Sequence, residues 1–191
     1  MITENLSLSE LKLEISQSAQ RGYPIIIAGA VYWALMGFLG LVLEREAVAL
    51  AYILAMMVVF PLGIGLGKLL KVELISRTNP LGTLGALLAG VQMCYLPVYI
   101  LVYQSIPEWV PGVIGILGGS HFLPYGWIYR SRAYYFQTGA MVIASLLFVR
   151  TAYTLLPVAM VAIYLATTFL LIRENRSLPK LADDTPLGSR P

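Results

Sequence analysis

Six uncharged stretches, each long enough to cross a bilayer, fill almost all of the chain between residues 24 and 172. They run over 24–43, 47–67, 80–104, 112–129, 133–149 and 151–172, and none contains Asp, Glu, Lys or Arg. A hydrocarbon core of about 30 Å takes roughly 17–25 helical residues at about 1.5 Å each, and every run fits that window. Without water to pair the backbone, only helices or a closed barrel can span such a core. The period-2 alternation of a barrel strand is missing. Runs this continuous predict an all-α, polytopic bundle of six transmembrane helices, with the lipid bilayer as its solvent.

Composition agrees: 58% of residues are hydrophobic and 12% charged, against the usual soluble balance of about 45–50% and 25%. The cations set the orientation. In a six-span arrangement Lys12, Arg21, Lys68, Lys71, Arg77, Arg130, Arg132, Arg173, Arg176, Lys180 and Arg190 share one side, and only Arg45 and Arg150 lie on the other. Lys and Arg favour the cytoplasmic side, so both termini of a multi-pass protein are expected there. Topology accounts for the basic residues, and no nucleic-acid partner is implied. Three acidic residues, Glu4, Glu10 and Glu14, precede the first run. That run is also too long for a signal-peptide core, so it reads as a retained span.

The chain divides into an amphipathic N-terminal segment (1–22), the six-helix domain (23–172) and a polar tail (173–191) expected to be disordered and cytoplasmic. Ser7-Leu8-Ser9-Glu10 has the form of a capping box, with Leu6 and Leu11 at the staple positions. The segment 68–79 reads as a second interfacial stretch, and Asn79-Pro80 as an N-cap followed by proline in the first turn. Little more than Arg150 separates the last two runs. Pro61, Pro97, Pro124 and Pro157 each remove a backbone donor and predict helix kinks. Small residues at four-residue spacing, such as Gly115/Gly119, suit close helix packing within the chain or in a homodimer.

One polar pattern crosses the apolar zone. His121, the single histidine, lies near mid-span, with Ser120 beside it and Gly118, Tyr125 and Tyr129 on its helical stripe. In the third run Gln92, Tyr95, Tyr99 and Tyr103 share a face. If the two faces meet, Tyr103, Tyr99, Tyr95, Gln92, His121, Tyr125 and Tyr129 form a seam through the bundle. An intramembrane ionisable residue suggests function, while phenols and amides also serve helix packing. Both readings stay open at this stage. The ligand-binding set expected from the seam is His121, Gln92, Tyr95, Tyr99, Tyr125 and Ser120.

The segment His121-Phe122-x-Pro124-x-x-Trp127-x-Tyr129 resembles small bacterial integral-membrane proteins grouped as a family of unknown function. The resemblance extends to length and helix number. It implies a bacterial inner-membrane setting and carries no activity with it.

Catalysis has little to stand on. No run holds a carboxylate, so a Ser-His-Asp arrangement lacks its acid at depth. His121 and Cys94 alone do not make a zinc site, and no cofactor or metal is expected. A kinked, glycine-rich bundle with an uncharged polar seam fits binding or transport of a small neutral or amphipathic ligand. The alternative is an accessory subunit working through contacts with another membrane protein. Cys94, near mid-span, is expected to be a buried, inert thiol.

Overall fold

Every apolar run becomes helix, but the runs and the helices do not coincide. The structure, a computed structural model, describes residues 6–76 and 78–179. Its helices are α1 (Leu8–Ser18), α2 (Tyr23–Val42), α3 (Arg45–Leu69), α4 (Pro80–Cys94), α5 (Leu96–Ser105), α6 (Val110–Ser120), α7 (Leu123–Ile128), α8 (Arg132–Leu147) and α9 (Leu155–Arg176). Single 3₁₀ turns occupy Gln20–Gly22, Pro107–Trp109 and Val149–Thr151. No strand occurs among the described residues. Four helical rods are long and apolar enough to cross a membrane: Gln20–Val42, Arg45–Leu69, Pro80–Ser105 and Leu155–Arg176. The outward face is rich in large apolar side chains, among them Leu41, Leu87, Leu147 and Phe169. Water is a poor solvent for such a surface and hydrocarbon a good one.

The prolines divide into two kinds. At Pro97 and Pro124 the helix stops and restarts, with α5 and α7 each carrying its proline in the first turn. Pro61 lies inside α3, which continues unbroken from Arg45 to Leu69. Pro157 kinks nothing. The last helix starts at Leu155 rather than 151, so Pro157 falls in a first turn whose N–H groups have no intrahelical partner to lose. The connection before it is correspondingly longer than Arg150 alone, covering residues 148–154. At its other end α9 passes residue 172 and runs to Arg176. The expected disordered tail therefore begins in helix, and 180–191 lie outside the described residues, as do residues 1–5 and Arg77.

The helices form a ring. Helix α2 packs between α3 and α9, α8 between α9 and α6, and the α4–α5 rod closes the circuit through α3, α6 and α7. Many of the largest buried side chains, including Trp33, Met36, Tyr52, Leu156 and Met160, lie on the α2–α3–α9 side. The α4 arc is far less buried.

One end of the ring is tied by the N-terminal segment. The capping box forms as expected: the Ser7 hydroxyl accepts from the Glu10 N–H, and the Glu10 carboxylate accepts from the Ser7 N–H at 2.8 Å. Helix α1 then lies across the bundle end with Ile15 and Ser16 buried. Lys12 Nζ sits 3.1 Å from the centre of the Trp127 ring, a cation–π contact. Burial and then the nearby Arg130 hold the Lys12 pKa below the ordinary lysine value. Asn79 caps α4 through the Leu81 N–H at 2.9 Å and donates to Leu11 O at 2.8 Å. The start of α4 is thus pinned to α1.

Candidate functional site

The break between α6 and α7 builds the centre of the site. Phe122 N–H donates to Gly119 O at 3.1 Å. That i−3 bond leaves the Gly118 carbonyl without its helical i+4 donor. The His121 ring takes the carbonyl instead, with Nδ1 2.5 Å from Gly118 O. The Gln92 amide lies 2.7 Å from the same nitrogen, and its other end is 3.4 Å from the Tyr99 hydroxyl. One ring nitrogen cannot donate to a carbonyl and accept from an amide at once. Two bare lone pairs at 2.5 Å would repel, so Nδ1 carries the proton and donates to Gly118 O. Gln92 then turns its oxygen to the ring and its NH₂ to Tyr99, an assignment made from the network. Nε2 is left as an unprotonated acceptor with no protein partner among the described residues.

Tyr125 completes the junction. Its hydroxyl donates to Gly85 O at 2.6 Å, tying α7 to α4. Its ring stands edge-on to His121 at 5.9 Å and stacks on Tyr129 at 6.1 Å. The predicted seam between the third and fourth runs therefore has a physical core of Gln92, Tyr99, His121 and Tyr125. Tyr95 is peripheral, packing edge-on against Tyr99 at 6.5 Å. Ser120 is not part of the group. It is exposed on the outer face, its hydroxyl donating to Ile116 O at 2.8 Å, four residues back along α6.

Behind this junction lies a cavity of about 180 Å³. His121, Gln92 and Tyr125 line it, together with aromatic rings that the seam reading passes over: Trp33, Tyr134 and Tyr164. No lining residue is charged. Three of the lining tyrosines spend their hydroxyl protons on backbone carbonyls: Tyr32 on Tyr52 O at 2.9 Å, Tyr125 on Gly85 O and Tyr134 on Arg21 O at 2.6 Å. Among the described residues no three His, Cys, Asp or Glu side chains gather as metal ligands would.

Beneath the residues that line the cavity lies a charged clamp built on Arg21. Gln20, Arg21 and Gly22 all adopt positive φ (44°, 52° and 68°), which reverses the chain between α1 and α2. A side chain at Gly22 would meet the Tyr134 hydroxyl at 3.2 Å. Arg21, 7% exposed, donates to Asn175 Oδ1 at 2.9 Å and to Tyr129 O at 3.2 Å, and pairs with Glu174 at 3.5 Å. Glu174 Oε1 accepts from the N–H groups of Arg132 and Ala133 at the start of α8. α1, α8, α9 and the turn after α7 meet here.

Sequence reasoning also missed a polar pair between α8 and α9. Gln137 and Thr167 are fully buried, and the Thr167 hydroxyl donates to Gln137 Oε1. The available signal was a lone amide within the 133–149 run. Cys94 is exposed on the outer face of α4, not buried as expected. It lies two residues from the inward-facing Gln92, about 200° around the helix axis.

No curated protein and no solved structure matches this chain. A family match spans residues 8–174, from the first residue of α1 to the Glu174 of the clamp. The chain belongs to the family of unknown function DUF7010.

Proposed function

We propose that this chain is an integral membrane protein that crosses a bacterial inner membrane six times with both termini cytoplasmic. Its central cavity binds, and in transport would pass, a small neutral or amphipathic ligand. The observation that carries this reading is the uncharged cavity at mid-bundle, walled by aromatic rings and lined by the polar side chains of His121 and Gln92. Pockets of this kind, mostly apolar with few placed polar groups, are what small-molecule sites look like. The absence of charge on the lining argues against a bound ion, which would be desolvated without a counter-charge.

The test compares wild type with His121→Ala in nanodiscs and liposomes. Native mass spectrometry should find a co-purifying small molecule on the wild type and less of it on the variant. Solute flux should fall in parallel. A wild type carrying no small molecule and moving no solute would overturn the reading.

Topology gives a separate prediction. Reporter fusions after residues 46 and 108 should report the outer side, and fusions after residue 75 and at the C-terminus the inner side, because the cations segregate that way. The opposite result for either pair would remove the six-span arrangement.

An accessory-subunit role is the second reading, and α4 favours it. That helix is barely buried, and a side chain placed at Gly90 would meet no atom within 4 Å. Cys94 lies on this open face and reports on it. In the membrane a water-soluble maleimide should leave Cys94 unlabelled, while a membrane-permeant one should label it. Protection from both reagents, lost on detergent extraction, would mean that a protein helix covers α4.

A further inference from the structure

The cavity opens sideways, between α3 and α4. Its lining includes residues that are also exposed on the outer surface: Met57 and Phe60 of α3, and Ala86 and Met93 of α4. The ends of the ring are largely covered, although exposed Ile75 of the connection between α3 and α4 also borders the cavity at the α1 end. Buried Ile15, Tyr129 and Tyr134 close the floor above the Arg21–Glu174 clamp, and buried Tyr32, Trp33 and Ile114 close the far side. Met57 and Phe60 are midway along α3. In a membrane-spanning arrangement the gap between Met57, Phe60, Ala86 and Met93 therefore faces the hydrocarbon.

We infer that the occupant is a lipid-dissolved, uncharged six-membered ring bearing one hydroxyl group and a hydrocarbon tail, a long-chain alkylphenol in its simplest form. It enters between α3 and α4, and its hydroxyl donates to His121 Nε2. The inference rests on the cavity being a binding site and adds the ligand class and the route. Size supports a single ring, since an apolar cavity of about 150 Å³ accepts benzene. Shape supports it too: Trp33, Phe122, Tyr125, Tyr134 and Tyr164 offer ring faces and edges on several sides. Hydrogen bonding at His121 calls for a donor. With Nδ1 engaged by Gly118 and Gln92, Nε2 can only accept, and Tyr32, Tyr125 and Tyr134 have already spent their protons. The uncharged lining excludes a phenolate or an acid. A tail leaves through the mouth, where the apolar Met57, Phe60, Ala86 and Met93 meet lipid.

Two matched probes test this: 4-octylphenol, and its methyl ether 4-octylanisole, which has the same body and no O–H. Full-length protein in nanodiscs is titrated with each, and bound probe is measured in excess of protein-free nanodiscs. Wild type should bind the phenol about tenfold more tightly than the ether, a factor worth about 1.4 kcal/mol and typical of one net hydrogen bond. His121→Phe keeps a ring but removes Nε2, and should abolish the preference while leaving ether binding in place. If that variant does not fold, the wild-type comparison decides alone. Ala86→Phe, at an exposed position, should slow uptake of both probes about tenfold by narrowing the mouth. Equal binding of phenol and ether to wild type, or an unchanged preference in His121→Phe, would overturn the assigned hydroxyl contact. Unchanged uptake in Ala86→Phe would overturn the lateral route. If neither probe binds wild type at all, the binding-site reading falls together with this inference.

Discussion

Glu174→Ala should destabilise the protein by about 3–5 kcal/mol, the usual result of stranding a buried charge by deleting its partner. Arg21 is almost wholly buried, and Glu174 is the anion paired with it. The loss is more than the ion pair. Glu174 Oε1 also accepts the Arg132 and Ala133 N–H groups, two of the donors that the first turn of α8 cannot satisfy internally. A carboxylate there also complements the positive end of the helix dipole. Glu174→Gln keeps an acceptor for those donors and loses only the charge, so its cost should be smaller. Arg21→Met should also cost less than Glu174→Ala, because it removes the buried charge instead of stranding it. Unfolding in a mild detergent, followed by heat or denaturant, ranks the three variants. An alanine variant as stable as the glutamine variant would show that the α8 cap contributes little.

The same clamp holds backbone strain. Gln20 and Arg21 are non-glycine residues at positive φ, a conformation costing about 1–3 kcal/mol each when the surroundings must enforce it. Tyr134, by donating to Arg21 O, and Asn175, by donating to Gln20 O at 2.8 Å, do the enforcing. Weakening the clamp should therefore release α1 as well as lower stability. In Glu174→Ala, limited proteolysis should cut within residues 8–22 well before the bundle. Release would also uncover the cavity floor, so packing at this end and ligand retention are coupled.

What could be read from the sequence depended on range. The Ser7/Glu10 box and the Asn79-Pro80 start are local chemistry, complete within four residues, and both formed as expected. The meeting of Gln92 and Tyr99 with His121 and Tyr125 was also legible, because a few polar residues spaced along an apolar helix have only other polar groups to face. The same argument applied to the helix phase would have put Cys94 and Ser120 outside. Hydropathy could not separate helix from ordered loop. Residues 148–154 hold Arg150 but are otherwise uncharged and adjoin two apolar runs, yet they turn, and α9 starts four residues later than its run. The Arg21–Glu174 pair was out of reach: each residue reads as a solvated end charge, and only the fold brings them together across 153 positions.

The helix-helix seams give the second large effect. A Cβ built on Gly29 would lie 2.1 Å from Tyr164 Cε1 and 2.8 Å from Cζ, inside a buried ring of α9. One on Gly115 would lie 2.1 Å from Ser145 Oγ and 2.7 Å from Met160 Cε. Small residues at such crossings let helices approach closely in lipid, where packing rather than water expulsion drives association. Overpacking a tight site costs about 1–3 kcal/mol where neighbours can shift, and more where they cannot. The two glycines should differ on that ground. Tyr164 is hemmed in by Phe122, edge-on at 6.2 Å, and a shift would push it into the cavity. Gly29→Ala should therefore cost at least about 3 kcal/mol, and Gly29→Leu should leave no folded protein by size-exclusion chromatography in detergent. Gly115→Ala meets a hydroxyl and the free end of a methionine, so its cost should stay near about 1–3 kcal/mol. Adding Ser145→Ala removes the hydroxyl and should recover part of that loss, while giving Gly29→Ala nothing. Recovery in both backgrounds would mean that the two seams yield as one body; recovery in neither would mean that Met160, not Ser145, sets the limit at Gly115.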